Sequence, residues 1–244
     1  MKKILLLFFY FPLLAAAQLQ IKINTITIDN SDKNHRKFNI EYTLENTTDK
    51  EIAFFFTPNH FNSAHRGSLQ TAMLFKIYEN DTLIPADGIL SNSKNDYSKL
   101  SNVLDIEEKM KTLDKMKADE LNISLDSLRS YRKKIISNPD FFQKESSKRL
   151  MNSIIRLPPK SSKSYHQILY WNKKRYFKTD DNEYYLGETS PFFIELSIVA
   201  LKEELSFKLS SEDFKIIKSD TSFIKGYFTS NKTLIDLSKQ KSPQ

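Results

Sequence analysis

The chain has 244 residues, no cysteine, four glycines, and 37 basic against 30 acidic side chains, a formal net charge of +7. Without cysteine there is no disulfide framework, no thiolate metal site, no cysteine nucleophile and no acceptor for an N-terminal lipid. The positive excess is small and lies among carboxylates, without the one-sided concentration of a nucleic-acid footprint, so no nucleic-acid partner is expected.

The opening MKKILLLFFYFPLLAAAQ has the three parts of an export signal. Lys2 and Lys3 form the charged start, Ile4 to Leu14 the apolar core, and Ala15-Ala16-Ala17 the small-residue cleavage site. The apolar run Ile4 to Ala17 is shorter than the roughly 20 residues a helix needs to span a bilayer. Residues 1–17 are therefore read as a cleaved Sec-type leader. The expected product is periplasmic or secreted, not a lipoprotein, and without stable membrane insertion. Its length suits one large domain or a domain carrying an insertion.

In LQIKINTITI, Ile21 and Ile23 alternate with polar residues, and so do Ile26 and Ile28, which predicts a strand. FNIEYTLENTTDKEIAFFFTP follows. Phe38, Ile40, Tyr42 and Leu44 share one face of a strand with one wet side. Asn46-Thr47-Thr48-Asp49 supplies turn chemistry, and Ile52, Phe54 and Phe56 repeat the pattern up to Pro58. Met73, Phe75 and Ile77, a polar turn, then Leu83 and Ile84 predict a further strand pair.

From about Ser98 to Asn152 the period changes. Val103, Ile106, Met110 and Leu113 recur at steps of three and four, as do Leu121, Leu125, Leu128 and Ile135, a helical stripe expected to lie on a sheet or, alternatively, to stand away from it as a docking surface for another envelope protein. Asn138-Pro139-Asp140 reads as a helix stop and restart. Strand patterning resumes with IIRLPPKSSKSYHQILYW and PFFIELSIVAL. SEDFKII and FIKGYFTSNKTLIDL are the last strand candidates. The predicted fold class is mainly β: strands over 18–97 and 153–244, with a helical insertion over 98–152.

The alternating strand, Asn-Thr turn and second strand of FNIEYTLENTTDKEIAFFFTP resemble the second and third strands of immunoglobulin-like sandwiches in exported bacterial proteins. RLPPKSSKSYHQILY resembles their later proline, polar turn and strand. The resemblance implies an immunoglobulin-like antiparallel β-sandwich. The chain departs from antibody-type domains in lacking both core cysteines, and its lone Trp171 comes later than their buried tryptophan. No activity transfers with this architecture.

Candidate chemistry is sparse. No G-x-S-x-G elbow occurs, and the scattered S-x-x-K spacings lack their companion motifs. Gly67, Gly88, Gly187 and Gly226 are too far apart for a phosphate-cradling loop. His60 and His65, in NHFNSAHRG, offer two imidazoles for a metal if that loop curls, and are otherwise ordinary polar loop residues. No cofactor is expected.

The stretch YHQILYWNKKRYFKTDDNEYY interleaves aromatics with cations. Tyr170, Trp171 and Tyr176 are candidates to stack on sugar rings, and Lys173, Lys174 and Arg175 to hold acidic groups. The same pattern suits a hairpin turning at Asn172-Lys173-Lys174, with its rings packed on the core and across the strand pair, the commoner fate of such rings. The function expected is a non-catalytic binding or interaction module of the bacterial envelope, with another envelope protein or a glycan as partner. The alternatives are a secreted hydrolase acting on glycans or peptides and a periplasmic inhibitor or immunity-type protein. Oligomeric state is not legible.

Overall fold

The computed structural model describes residues 18–64, 70–84, 89–93, 104–173, 177–179, 182–184 and 190–237. Strands account for 42% and helices for 32% of it, in several antiparallel sheets with a helical segment. The fold is thus mixed α/β rather than mainly β, because helix extends beyond the expected segment.

Strand β1 (Leu19–Asp29) pairs with β2 (His35–Asn46), and β2 pairs along its length with β8 (Ser162–Asn172). A second sheet has β5 (Ala72–Glu79) and β11 (Phe192–Ala200) at its centre. Beside β5 lie β4 (Thr57–Ser63), which runs parallel to it, and β6 (Thr82–Leu83). Beside β11 lie β12 (Gly226–Thr229) and β13 (Thr233–Ile235). Two further pairs are β3 (Ile52–Phe55) with β7 (Ile154–Leu157), and β9 (Phe177–Thr179) with β10 (Asn182–Tyr184).

The apolar sides of the two larger sheets share one core. Ile21, Ile23, Phe38, Ile40, Tyr42 and Leu44 come from the first, and Met73, Phe75, Phe192, Ile194 and Leu196 from the second. The odd-numbered Ile21 and Ile23 and the even-numbered Ile26 and Ile28 all reach this core, although strand alternation forbids it. The ladder solves this with a register shift between Ile23 and Thr25. Asn24 is the extra residue of a bulge, which swaps the faces beyond it.

β3 is buried on both sides. Ile52, Phe54 and Phe56 enter the main core. Ala53 and Phe55 enter a second cluster with Leu150, Leu205, Leu209, Ile217 and Phe223. An unbroken apolar run suits a strand covered on both faces. The helices are α1 (Ile106–Leu121), α2 (Leu125–Ser137), α3 (Pro139–Asn152) and α4 (Ser211–Ser219), with a 3-10 helix over Glu203–Lys208. Leu150 and Met151 of α3, Phe214 and Ile217 of α4 and Leu205 of the 3-10 helix pack into the second cluster.

Two expectations are corrected here. SEDFKII is α4, not a strand. Ser210 accepts from the Asp213 amide at 3.1 Å, and Glu212 and Asp213 occupy the first turn, an arrangement that favours a helix start. The helical stripe also breaks at Asn122, which takes φ 52° and ends α1, before Ser124 caps α2. The stripe does not lie on a sheet. Ile106 and Met110 are exposed, α1 packs on α2, and α2 on α3. Asn138 ends α2 and caps α3, with Pro139 in the first turn.

The polar turn after β2 is clamped by its one buried residue. Asn46 is fully enclosed. Its side-chain N–H groups donate to the carbonyls of Lys50 (2.7 Å), Leu157 (3.0 Å) and Pro158 (2.8 Å). Its carbonyl oxygen accepts from the Thr48 amide and hydroxyl at 2.9 and 2.8 Å. These contacts fasten the turn to the chain between β7 and β8.

Candidate functional site

The stretch singled out in the sequence divides into parts. Trp171 is 2% exposed. Its ring lies 6.0 Å from Phe38 and 5.5 Å from Phe192, with the Arg36 guanidinium 5.8 Å from its centroid. It is a core residue with no face to offer a ligand, although it comes late in the chain. Tyr165 stacks on Tyr42 at 5.4 Å, and burial pushes its hydroxyl up to about 12. Tyr170 is half-buried, and its backbone exchanges hydrogen bonds with Ser91. The Lys173 ammonium donates to the carbonyls of Asn30 (3.0 Å) and Asp32 (2.8 Å), closing the turn between β1 and β2. Lys174, Arg175 and Tyr176 lie outside the described residues. β8 runs to Asn172 and pairs along its length with β2; the expected turn at Asn172-Lys173-Lys174 runs into residues outside the described ones.

His60 is exposed on β4, within a strand instead of a loop, and His65 lies outside the described residues. Among the described residues no three side chains of metal-ligating type gather.

The structure assembles a different surface on the outward side of the six-stranded sheet. Directly paired residues of neighbouring strands share a face. Leu83 pairs with Tyr78, Tyr78 with Phe193, and Phe193 with Leu234. The four side chains form a ladder across β6, β5, β11 and β13. Leu83 is 37% and Leu234 47% exposed at its two ends.

Beside this ladder, Lys76 faces Glu195 across the strand pair, with Nζ and Oε1 3.6 Å apart. The Tyr78 hydroxyl donates to the same Glu195 oxygen at 3.3 Å. Lys76 also approaches Tyr227, 5.5 Å from its centroid, and Tyr227 is 51% exposed. The Lys232 ammonium sits 3.9 Å from the Tyr78 centroid and 3.8 Å from Asp81. The hydrogen bond with Tyr227 foremost, the surroundings hold the Lys76 ammonium above its usual range. Burial first, then the Glu195 charge, raises the Tyr78 hydroxyl.

The sequence carried a sign of this surface. Phe192 and Phe193 are adjacent on one strand, so one of them must turn away from the core, as Tyr78 must beside the inward Ile77.

Two grooves flank α3. One, of about 650 Å³, sets Lys144 and Lys148 among Asp140, Glu212 and Asp213. Asp213 there accepts from the hydroxyls of Ser147 and Ser210, so it is occupied in holding α3 to the start of α4. The other, of about 370 Å³, lies where α3 meets the beginning of β4, between Arg149, Lys208, Thr57 and Thr71.

In comparisons with known proteins, no family model, no curated protein and no solved structure matches the chain.

Proposed function

We propose that this chain is a non-catalytic binding module of the bacterial envelope, exported by its leader, and that it meets a protein partner through the outward ladder of the six-stranded sheet. The observation carrying this reading is the ladder Leu83–Tyr78–Phe193–Leu234 with Tyr227 beside it, an apolar and aromatic strip held on rigid strands. Tyrosine supplies large contact area with few torsions to freeze, which suits it to interfaces. Lys76 and Lys232 are already held by Glu195, Asp81 and the rings, so less side-chain entropy is lost when a partner docks. An immunoglobulin-like sandwich is the architecture we propose for the body. The core shared by the two larger sheets supports it, while the parallel pairing of β4 with β5 is a local departure.

Site-specific photo-crosslinking in cells tests the proposal. A photoreactive residue in place of Tyr227 is expected to give a discrete protein adduct, and the same residue in place of Lys22, exposed on the other sheet, is expected to give none. Loss of the Tyr227 adduct in a Leu234→Asp background confirms the ladder as the contact. Equal adducts at both positions would overturn the ladder as the contact, and turnover of a model glycan or peptide by the purified protein would reverse the reading in favour of a hydrolase.

A further inference from the structure

We propose that the smaller groove beside α3 binds the phosphoryl group of a soluble sugar phosphate. This site is separate from the outward ladder. Arg149 and Lys208 are its two charged residues, and its lining among the described residues holds no carboxylate. The larger groove on the same helix shows the contrast, since its lysines share their walls with three acids. An excess of one sign in a concave wall concentrates ligands of the other sign.

Arg149 is exposed, and its side-chain hydrogen bond, to the Glu145 carbonyl, is a long one of 3.4 Å. Most of its five N–H donors are therefore open to a ligand, and their planar fork matches phosphate oxygens. The hydroxyls of Thr57 and Thr71 lie 2.9 Å apart. Either can donate to the other, which uses one of their two O–H hydrogens and leaves the second for an anion. Ser146 adds a further hydroxyl to the wall.

Phe142 forms an apolar part of the same lining and is 45% exposed. An aromatic face beside a cation pair suits a sugar ring that carries phosphate better than it suits a bare anion. The volume of about 370 Å³ falls at the small end of the range for small-molecule sites.

Titration of the full-length exported protein with glucose 1-phosphate, followed by amide NMR shifts, tests this. Saturable shifts are expected at Ser146, Arg149, Thr57 and Thr71, with a dissociation constant of about a millimolar or tighter. Arg149→Gln is expected to weaken binding about tenfold and Arg149→Glu to abolish it. Arg149→Gln should keep the wild-type unfolding midpoint, because among the described residues the guanidinium holds only the Glu145 carbonyl, by a long bond. Glucose at the same concentrations should shift nothing. Three results overturn the proposal: no saturable shift with glucose 1-phosphate, equal affinity for inorganic phosphate, or binding seen only with phosphatidylglycerol vesicles, which would place the phosphate in a lipid headgroup. Shifts that persist unchanged in Arg149→Glu overturn it as well.

Discussion

Arg156 donates to Asp220 at 2.6 Å, and so ties β7 to the residue that ends α4 across 64 positions of sequence. The same guanidinium reaches Glu51 at 2.9 Å and the Ser222 hydroxyl at 3.0 Å. Burial acts to raise the Asp220 carboxyl, but hydrogen bonds from Ser222 and Arg156 outweigh it and bring the group down to about 2.

A carboxyl depressed when folded, against about 3.9 when unfolded, stabilises the fold above pH 4. That contribution is lost as the pH falls through 4 towards 2. Because Arg156 is half-exposed, solvent screening reduces the effect, and Asp220→Asn should cost about 1 kcal/mol at pH 7. Urea unfolding of both proteins at pH 7 and pH 2.5 checks the sign. The gap between them should be present at the first pH and mostly closed at the second.

Asn46→Ala removes the donors shared by the carbonyls of Lys50, Leu157 and Pro158, of which the Leu157 contact is fully buried, and the acceptor for Thr48. Leaving such groups unpaired should cost about 2–4 kcal/mol. Asn46→Asp should be worse at neutral pH, because a carboxylate has no hydrogen to give to the carbonyls of Lys50, Leu157 and Pro158. Protonation restores one donor, so its deficit should shrink between pH 7 and pH 4. Chemical denaturation across that interval is the measurement.

Phe54 and Phe55 are neighbours that serve different cores. Each change to Ala should cost about 3–5 kcal/mol, but the local consequences should separate. Phe55→Ala should raise hydrogen exchange first at the amides of α3 and α4. Phe54→Ala should do so in β1 and β2. Identical exchange maps would contradict a strand shared between two clusters.

Trp171, the lone tryptophan, should emit as a buried indole and resist iodide quenching until the protein unfolds. Trp171→Ala should lower stability by about 3–5 kcal/mol. Any loss of binding in that variant should track its unfolded fraction when temperature is varied.

Much of the fold was legible because it rests on local pattern. The alternation of FNIEYTL and the Asn138-Pro139 restart have direct structural counterparts, whereas the register shift in β1 emerged only from its pairing with β2. SEDFKII was misread because its short apolar run suits either element, while the deciding signal was Ser210 three residues before Asp213, a helix-start spacing. The outward ladder was harder to foresee. Leu83, Tyr78, Phe193 and Leu234 come from four strands, and only their register makes them neighbours. Trp171 looked like a ligand platform because its own strand does not reveal what covers it; Phe38 and Phe192 do so from distant parts of the chain.

The bulge at Asn24 gives β1 an unusual tolerance to a change of length. Dropping one residue from a strand normally turns every later side chain over to the opposite face. Omitting Asn24 would instead bring Thr25 into step behind Ile23, still opposite Glu41, and keep Ile26 opposite Ile40. Homologues one residue shorter at this point could thus retain the whole hydrophobic pairing, whereas a deletion before Ile23 would pull Leu19 and Ile21 out of phase with Asn46 and Leu44.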